Sequence, residues 1–397
     1  MYLGVFLRVV VVGFQRAVYP IFPKTLIIAE PVIGSTLVLN QPMGRQSSTK
    51  YSILSTAMNF AILGPGLVAD YHVTAIEANK HLGASLRTII HYEPSKFEGI
   101  SEKYGVPCQS LEAALADTTL DAVCICTPSG QHARQAIACI EAGKHVLIEK
   151  PMALRLADAD AMIAAAKANN VHIVVAFQRR TEPLFLDIKR AIMGGDLGQL
   201  TMASVVLPYF RGQTYYDQAP WRGTWAEDGG GVLMNQGIHI IDLLVWYMGD
   251  PVDIKAHAGT LLRDIEVEDV LAASLKFSSG AVATVTATTT TGDGAPHRLE
   301  LYGTNGCIQV TGETATRWYL KDKTLQTVVP HITSEPVEAG ASSDPRGIKA
   351  VGHTALIKTL ITAVNNGQTA HINGIEGRRS LATVNGIYRA AGLIQDV

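Results

Sequence analysis

The sequence predicts a two-domain α/β protein in which a parallel sheet covered by helices is followed by an α+β domain with a mostly antiparallel open sheet. From Met58, short apolar runs alternate with amphipathic stretches of helical length. That alternation is typical of parallel strands joined by right-handed crossovers. After residue 200, threonine- and valine-rich runs separated by turns such as 278–280 favour antiparallel pairing. With 397 residues, the chain is long enough for two domains that each bury a core.

The composition is that of a globular protein without a strongly charged surface. Hydrophobic residues make up 47% and charged residues 17% of the chain, and 33 basic residues nearly balance 35 acidic ones. We therefore expect no nucleic acid and no membrane as a partner. The five cysteines are an odd number, and Cys124 and Cys126 alternate along an apolar strand. Reduced thiols, a cytoplasmic location and no metal site are expected.

Residues 1–57 are interpreted as an N-terminal extension of doubtful functional relevance. Residues 2–14 are apolar but interrupted by Arg8, and they are shorter than the roughly 20 residues that span a bilayer. A basic leader and a small-residue cleavage site, which mark secretory signals, are lacking. We expect the functional protein to begin at Met58, where the first strand opens.

The first domain is predicted to span residues 58–178 and the second residues 179–397. In the first, strands are expected at 59–63, 86–91, 121–126, 145–148 and 171–177. Helices are expected between them, ending near Lys80 after the first strand and then at 94–104, 130–142 and 154–168. In the second, we expect helices near 184–193, 353–366 and 375–391, strands at 200–207, 270–277, 281–291 and 297–303, and a glycine-rich helix entry at Gly229. The broad sheet face of this domain is expected to support a homodimer or homotetramer.

A glycine motif at 64–69 follows the first strand and opens a helix. Gly64 would make the tight turn, Gly66 would let a pyrophosphate approach the backbone, and Ala69 is small enough to replace a third glycine. The phosphates would lie at the helix N-terminus, so Leu67 and Val68 join the cofactor-binding set. A plain strand–helix turn is the alternative, which the flanking strand and helix make less favoured. The motif predicts a Rossmann dinucleotide-binding domain.

The end of the second predicted strand lacks the acidic residue that selects NAD. Position 91, which is 25 residues beyond Gly66 (91 − 66), is His91. Glu93 alternates away from the position of the missing acid, and Lys96 is close enough to meet a 2′-phosphate. His91 is assigned to the cofactor site, and the cofactor is predicted to be NAD or NADP.

Two further motifs follow strands at the carboxyl edge of the sheet, where ligands bind in such folds. Thr127, Pro128 and His132 follow one strand and would line the nicotinamide side. A structural hydrogen bond explains His132 equally well. Glu149 and Lys150 follow the next strand. Lys150 would hydrogen-bond a substrate hydroxyl or relay its proton, and a surface lysine at a strand end is the less favoured alternative.

A second group of polar residues follows the glycines at 229–231. Asn235 and His239 are four residues apart and would project from one face of a helix. Asp242 is placed to hold the imidazole of His239 in one tautomer. A capped helix with a buried, satisfied histidine is the alternative. For this segment taken alone, that alternative would be preferred.

An aromatic and arginine-rich loop contains Arg211, Tyr216, Trp221 and Arg222. Aromatic rings stack on sugars, and arginine grips carboxylates or phosphates with two hydrogen bonds. These residues are predicted to bind substrate. An ordered surface loop or a subunit contact is an equally weighted alternative.

Taken together, the motifs resemble the Gfo/Idh/MocA family, named for glucose–fructose oxidoreductase and inositol dehydrogenase. The resemblance covers about 340 of the 397 residues, from Asn59 onward. It is carried by the stretches 126–132, 143–151 and 178–183 and by the glycine-rich segment with Asn235 and His239. It implies a Rossmann domain followed by a mostly antiparallel sheet domain that commonly builds dimers or tetramers.

The resemblance also implies roles for single residues. Lys150 would orient the substrate hydroxyl and His239 would act as acid/base. Position 235 is often aspartate in the polyol dehydrogenases of the family but is Asn235 here, which favours Lys150 as the proton-relay group. Arg180 matches an arginine that contacts cofactor or substrate, and Gln178 joins the cofactor set.

The resulting hypothesis is a reversible oxidation of a secondary alcohol on a sugar, cyclitol or nucleotide sugar, with hydride transfer to NAD or NADP. Two alternatives stay open. One is a hydrolase or lyase that oxidises a sugar transiently and returns the hydride. The other is a non-catalytic regulator that senses a nucleotide.

Overall fold

The computed structural model describes residues 57–321 and 351–395 of the chain. Except for Ala57, the predicted N-terminal extension lies outside the described residues. None of the helices within these ranges has the length and apolar character that a bilayer crossing requires.

The first sheet is parallel and has the strand order β3-β2-β1-β4-β5-β6. Its strands are β1 Met58–Leu63, β2 Ala84–Ile90, β3 Cys108–Gln109, β4 Ala122–Ile125, β5 His145–Ile148 and β6 Ile173–Val175. This order confirms the predicted Rossmann sheet. It reverses between β1 and β4, which opens a crevice at their carboxyl ends.

Helices cover the faces of the parallel sheet. They are α1 Leu67–Ala78, α2 Phe97–Tyr104, α3 Leu111–Ala116, α4 His132–Glu141 and α5 Leu156–Ala168. Neither β3 nor α3 was predicted, because two and six residues are too few to display a hydrophobic period. The side chain of Ser110 caps α3 by accepting from the amide of Ala113 at 3.3 Å.

The second sheet has the strand order β13-β12-β11-β7-β10-β9-β8. Its strands are β7 Leu200–Pro208, β8 Pro251–Gly259, β9 Val270–Phe277, β10 Val282–Thr288, β11 Arg298–Gly303, β12 Gly306–Thr311 and β13 Thr314–Leu320. Its neighbours are antiparallel except β7 and β10, which confirms the predicted mostly antiparallel sheet. The edge strand β8 was not predicted, although Asp253, Lys255 and His257 alternate with Ile254, Ala256 and Ala258 in the pattern of a half-exposed strand.

The remaining helical segments link the two sheets. They are α6 Pro183–Met193, α7 Gln213–Tyr216, a π-helix Val232–Gly237, α8 Ile238–Met248, α9 Val351–Asn366 and α10 Gly374–Ala390. Two C-terminal segments return to the parallel sheet: Asn79 Nδ2 donates to Thr354 O at 3.0 Å, and the amide of Val175 donates to Ile372 O at 3.0 Å. Buried apolar residues from both sheets form one core. A domain boundary at residue 178 therefore remains a prediction.

Candidate active site

A cavity of about 2420 Å³ lies at the carboxyl edge of the parallel sheet. Pockets for drug-sized ligands measure roughly 300–1,000 Å³, so this cavity has room for a dinucleotide and a second molecule. Most of the residues predicted for the site line it. They are Gly64, Gly66, Leu67, Val68, His91, Thr127, Pro128, His132, Glu149, Lys150, Gln178, Arg211, Trp221, Arg222, Asn235 and His239.

The glycine turn is shaped to receive a diphosphate. Gly64 has φ +91°, and a Cβ there would lie 2.9 Å from Thr127 Cγ2. A Cβ on Gly66 would meet no atom within 4 Å, so the space beside this backbone is open to the cavity. Helix α1 starts at Leu67 and directs its unsatisfied amides and the positive end of its dipole there. These residues fit the pyrophosphate of a dinucleotide.

At the end of β2, His91 lines the cavity. Its Nδ1 accepts from the amide of Glu93 at 3.0 Å, and its ring stacks on Tyr92 with centroids 4.6 Å apart. The ammonium of Lys96 lies 3.0 Å from the Glu93 carboxylate, and Lys96 is not part of the cavity lining. The cation considered for a 2′-phosphate therefore pairs with Glu93 outside the cavity.

His132 contacts the backbone that follows two neighbouring strands, β4 and β5. It is 1% exposed, its Nδ1 lies 2.7 Å from Pro151 O, and its Nε2 lies 2.9 Å from Thr127 O. Burial lowers the pKa of this histidine. These contacts favour the structural alternative for His132, although its ring borders the cavity.

Lys150 reaches from the end of β5 across the cavity to the π-helix. Its Nζ donates to the backbone oxygen of Asn235 at 2.8 Å. Burial lowers the pKa of Lys150, and the nearby carboxylates of Glu149 and Asp228 oppose that shift only in part. The lysine is therefore easier to deprotonate than one in water.

His239 is a neutral imidazole in this setting. Burial, reinforced by the charges of Lys150 and Arg179, holds the pKa of His239 well below its usual value. The ring meets Phe177 edge-on at 6.0 Å, and its buried Nδ1 has no hydrogen-bond partner among the described residues. Asn235 lies in the π-helix and His239 in α8, and both border the cavity.

The hypothesis that Asp242 orients His239 is wrong, and so is the assignment of Arg180 to the substrate. Arg180 is fully buried outside the cavity lining. Its Nε and Nη2 each donate to the Asp242 carboxylate at 2.7 Å, and its Nη1 donates to Glu376 at 2.7 Å. Ser380 adds a hydrogen bond to Asp242 at 2.7 Å. A buried carboxylate needs such a charged partner. Asp242 is therefore engaged by Arg180 and Ser380, while Nδ1 of His239 has no hydrogen-bond partner among the described residues.

The assignment of Tyr216 to the substrate is also wrong. Tyr216 is 5% exposed, lies outside the cavity lining and places its hydroxyl 3.3 Å from Thr289 Oγ1. Tyr215 lines the cavity instead, and the guanidinium of Arg222 lies over the rings of Tyr215 and Trp221 at 4.3 and 4.6 Å. Consecutive residues of a helix point about 100° apart, so the two tyrosines of α7 point in different directions and only Tyr215 is part of the cavity lining.

Several lining residues were not predicted from the sequence. They are Arg179, Asp228, Gln236, His297 and His353. Asp228 accepts from the side chain of Asn235 at 2.7 Å and from the amide of Gly223 at 2.9 Å. Its position directly before the glycine run was a usable signal, as was the place of Arg179 in the 178–183 motif. His297 and His353 arrive from distant elements, and no local pattern marks them.

A cluster of His72, Glu149 and His353 borders the cavity, with one donor atom of each lying within 4.8 Å of the others. Two imidazoles and a carboxylate are ligands that divalent transition metals accept. However, both Nε2 atoms approach the same Glu149 oxygen, at 2.8 and 3.3 Å, and neither Nδ1 has a partner among the described residues. Histidines that bind metals normally donate their other N–H. Hydrogen bonds to Glu149 explain the cluster.

The charge of Glu149 follows from these contacts. Burial raises its pKa, but the hydrogen bonds from His353 and His72 outweigh burial and hold the pKa well below its usual value. Burial lowers the pKa of His72. A carboxylate is thus fixed next to Lys150.

Two family descriptions match the chain. Residues 58–177 match an oxidoreductase family with an NAD-binding Rossmann fold, and residues 185–309 match the GFO/IDH/MocA C-terminal domain. Both ranges contain residues that line the cavity.

Similar proteins of known identity cover most of the chain. Myo-inositol 2-dehydrogenase of Thermotoga maritima is 26% identical over 333 residues, which is 82% of this chain and 93% of the relative. The scyllo-inositol 2-dehydrogenase (NAD(+)) of Bacillus subtilis is 29% identical over 255 residues, 62% of this chain and 72% of the relative. The WlbA dehydrogenase of Bordetella pertussis, solved with NADH and UDP-GlcNAcA, is 31% identical with a TM-score of 0.75, covering 85% of this chain and 97% of that one. Residues 58–177 form an NAD-binding Rossmann fold, and this chain belongs to the GFO/IDH/MocA family of oxidoreductases.

Proposed function

We propose that this protein transfers a hydride between NAD and a secondary alcohol of a sugar, cyclitol or nucleotide sugar. One observation carries the proposal: the Lys150 ammonium, bonded to Asn235 O at 2.8 Å, lies in the same cavity as the glycine turn that fits a diphosphate. The bound nicotinamide supplies the hydride acceptor. The chain itself must hold the hydroxyl and take its proton.

Lys150 is the better proton acceptor of the two candidate groups. Its lowered pKa makes the neutral amine more accessible than in a lysine exposed to water, and a neutral amine can take the hydroxyl proton. The pKa of His239 is held so low that its imidazole retains a proton poorly. His239 therefore serves as a hydrogen-bond partner that orients the hydroxyl. Asn235 holds Lys150 through its backbone oxygen.

The loop on the far side of the cavity favours an anionic sugar over an uncharged cyclitol. Arg211 and Arg222 line the cavity, and Arg222 lies between two aromatic rings. Arginine binds phosphate and carboxylate through paired hydrogen bonds, and rings such as Trp221 stack on sugars. The relative solved with UDP-GlcNAcA points to the same class of substrate.

The test is NADH formation, followed by absorbance, with a panel of nucleotide sugars, sugar acids, neutral sugars and inositols. We expect stoichiometric NADH with an anionic sugar. Bond cleavage without net NADH would identify the hydride-recycling alternative. Tight NAD binding without turnover of any substrate would instead favour a nucleotide-sensing regulator and contradict the proposal.

The rate of alcohol oxidation is expected to rise with pH along a limb set by Lys150. As pH rises through the lowered pKa of Lys150, the ammonium loses its proton and becomes a base. The limb should therefore lie below about pH 10.4, the value for an unperturbed lysine. The pH profile of kcat/KM measures it. A profile without any lysine-dependent limb would contradict the role of Lys150.

NAD is expected to be preferred over NADP by tenfold or more in kcat/KM, which is about 1.4 kcal/mol. Lys96 pairs with Glu93 and lies outside the cavity, so the turn after β2 offers no lysine to a 2′-phosphate. The Lys96→Ala variant is the matched control and should leave both values unchanged. A preference for NADP that disappears in that variant would overturn this expectation.

We also propose that the open face of the second sheet joins copies into a homodimer or homotetramer. Met202, Val282 and Tyr319 are exposed on this face at 44%, 48% and 50%, and Met202 pairs directly with Val282. Light scattering on the purified protein should give two or four times the chain mass. Met202→Lys combined with Val282→Lys is expected to dissociate the assembly. A wild-type protein with the mass of one chain would contradict the proposal.

A further inference from the structure

The π-helix that carries Asn235 begins with four backbone amides that two distant residues satisfy. The amides of Gly231 and Leu233 donate to the two carboxylate oxygens of Glu268 at 2.7 and 2.9 Å. The amide of Val232 donates to the backbone oxygen of Glu268 at 3.1 Å. The amide of Met234 donates to the hydroxyl of Tyr388 at 3.0 Å, and that hydroxyl donates to Glu268 at 2.8 Å. Such amides have no partner within their own helix, so the two residues replace an ordinary cap.

The glycines of this segment make the arrangement sterically attainable. A Cβ on Gly231 would lie 1.7 Å from the backbone oxygen of Glu268. A Cβ on Gly230 would lie 2.3 Å from the Tyr388 hydroxyl. Glu268 and Tyr388 are both about fully buried. The start of the π-helix is thus clamped by direct contact with both residues.

The clamped amides lie immediately before the residue that holds Lys150. Asn235 follows Met234, its backbone oxygen accepts from Lys150, and its side chain donates to Asp228 at 2.7 Å. His239 follows one turn later, in α8. A shift of the first turn would therefore displace the oxygen that orients Lys150.

We propose that Glu268, together with Tyr388, is a positioning residue for the reaction: it fixes the π-helix so that Asn235 and His239 stand correctly against Lys150. This role rests on the proposed function. Glu268 is not part of the cavity lining. It acts through the backbone of residues 231–235. Misplacing a reacting group by about 1 Å can lower the rate about 10²-fold.

The test compares Glu268→Gln with the wild type near pH 8. Burial raises the pKa of Glu268 to about 7 against the hydrogen bonds that favour its charge, so the carboxylate predominates at that pH. In the variant, an amide NH₂ replaces one oxygen and faces a backbone N–H. We expect kcat to fall about 10–100-fold, while the KM for NAD and the Kd for NADH, measured by fluorescence, stay within about twofold.

Asp269→Asn is the matched control. Asp269 is the adjacent residue, is fully buried and also accepts three backbone amides, at 2.8, 2.8 and 2.9 Å, but those belong to residues 261–263. Its variant should lower Tm in a similar way and leave kcat close to that of the wild type. Tyr388→Phe removes one acceptor and one donor of the clamp without a charge change, and it should show the same loss in kcat with an unchanged Kd.

The outcomes separate the two proposals. A wild-type kcat in both Glu268→Gln and Tyr388→Phe overturns the positioning role alone. An equal loss of kcat in Asp269→Asn also overturns it, because the effect would then follow from stability. If Glu268→Gln does not fold, the kcat of Tyr388→Phe, compared with that of Asp269→Asn, decides whether the positioning role holds. A wild-type protein that oxidises no substrate overturns the proposed function and this role together.

Discussion

Replacing Lys150 by methionine is expected to lower kcat for alcohol oxidation by about 10²–10⁴-fold, the range for a lost general acid or base. Methionine keeps most of the side chain's length and apolar volume but can neither hold nor accept the hydroxyl proton. Burial already disfavours the charge of Lys150, so its removal should leave Tm unchanged or slightly raised. Steady-state kinetics and NADH binding by fluorescence measure the two effects separately, and the Kd for NADH should stay close to that of the wild type.

Lys144→Met is the matched control for this substitution. Lys144 is also buried and is only six positions earlier, directly before β5, where its Nζ donates to the backbone oxygens of Asp117 and Leu120 at 2.6 and 2.9 Å. It does not line the cavity. The control should lower Tm and leave kcat unchanged, whereas Lys150→Met should lower kcat without lowering Tm. Turnover at the wild-type rate in Lys150→Met would remove Lys150 from the mechanism.

Replacing Arg180 by methionine is expected to lower the free energy of unfolding by about 3–5 kcal/mol, because it leaves a buried carboxylate without its countercharge. The guanidinium makes two hydrogen bonds to fully buried Asp242 and one to Glu376, which joins α8 and α10 to the turn after β6. Denaturant unfolding followed by circular dichroism measures the loss. Because Arg180 lies outside the cavity lining, the KM of the folded fraction should not change.

Arg378→Met provides the comparison for this effect. Arg378 pairs with Asp160 on the surface, where both side chains are partly exposed. Exposed ion pairs contribute roughly 0–1 kcal/mol, so this variant should unfold at nearly the wild-type denaturant concentration. A raised KM without loss of stability in Arg180→Met would restore the substrate contact that the family resemblance implied.

The residues that were placed correctly from the sequence are those fixed by the end of a strand. Lys150 follows β5, and Thr127 follows β4, so the parallel sheet brings both to one edge whatever the rest of the chain does. The glycine turn is local in the same sense, since Gly64 and Gly66 are positioned by β1 and α1 alone.

The residues that were wrongly assigned to the site are those for which the direction of the side chain, within a turn or a helix, decides whether it reaches the cavity. Arg180 lies in a motif near the sheet edge. The motif gives no indication that Arg180 pairs with Asp242, which lies 62 positions later in the sequence. Tyr215 and Tyr216 are chemically alike, and only the packing of Tyr216 against Thr289 decides which one meets the cavity. Alternation and spacing contain no information on such distant partners.

The contacts made across the whole chain could not be predicted at all. Glu268 and Tyr388 are 120 positions apart, and Glu149 and His353 are 204 positions apart. Each pair joins a C-terminal helix to a residue that lies far away in the sequence, so no local pattern marks it. Short strands were lost for a different reason, because the two residues of β3 cannot show a period.

The return of α9 to the parallel sheet limits how this protein can be divided. His353 from α9 donates to Glu149, next to Lys150. The backbone oxygen of Thr354, in the same helix, accepts a hydrogen bond from Asn79, which follows the last residue of α1. A fragment cut after residue 177 would keep every strand of the parallel sheet and its glycine turn, yet it would lack one wall of its own cavity. The Rossmann segment is therefore not an interchangeable module: a chimera that grafts residues 58–177 onto another protein would have to bring residues 351–366 with it.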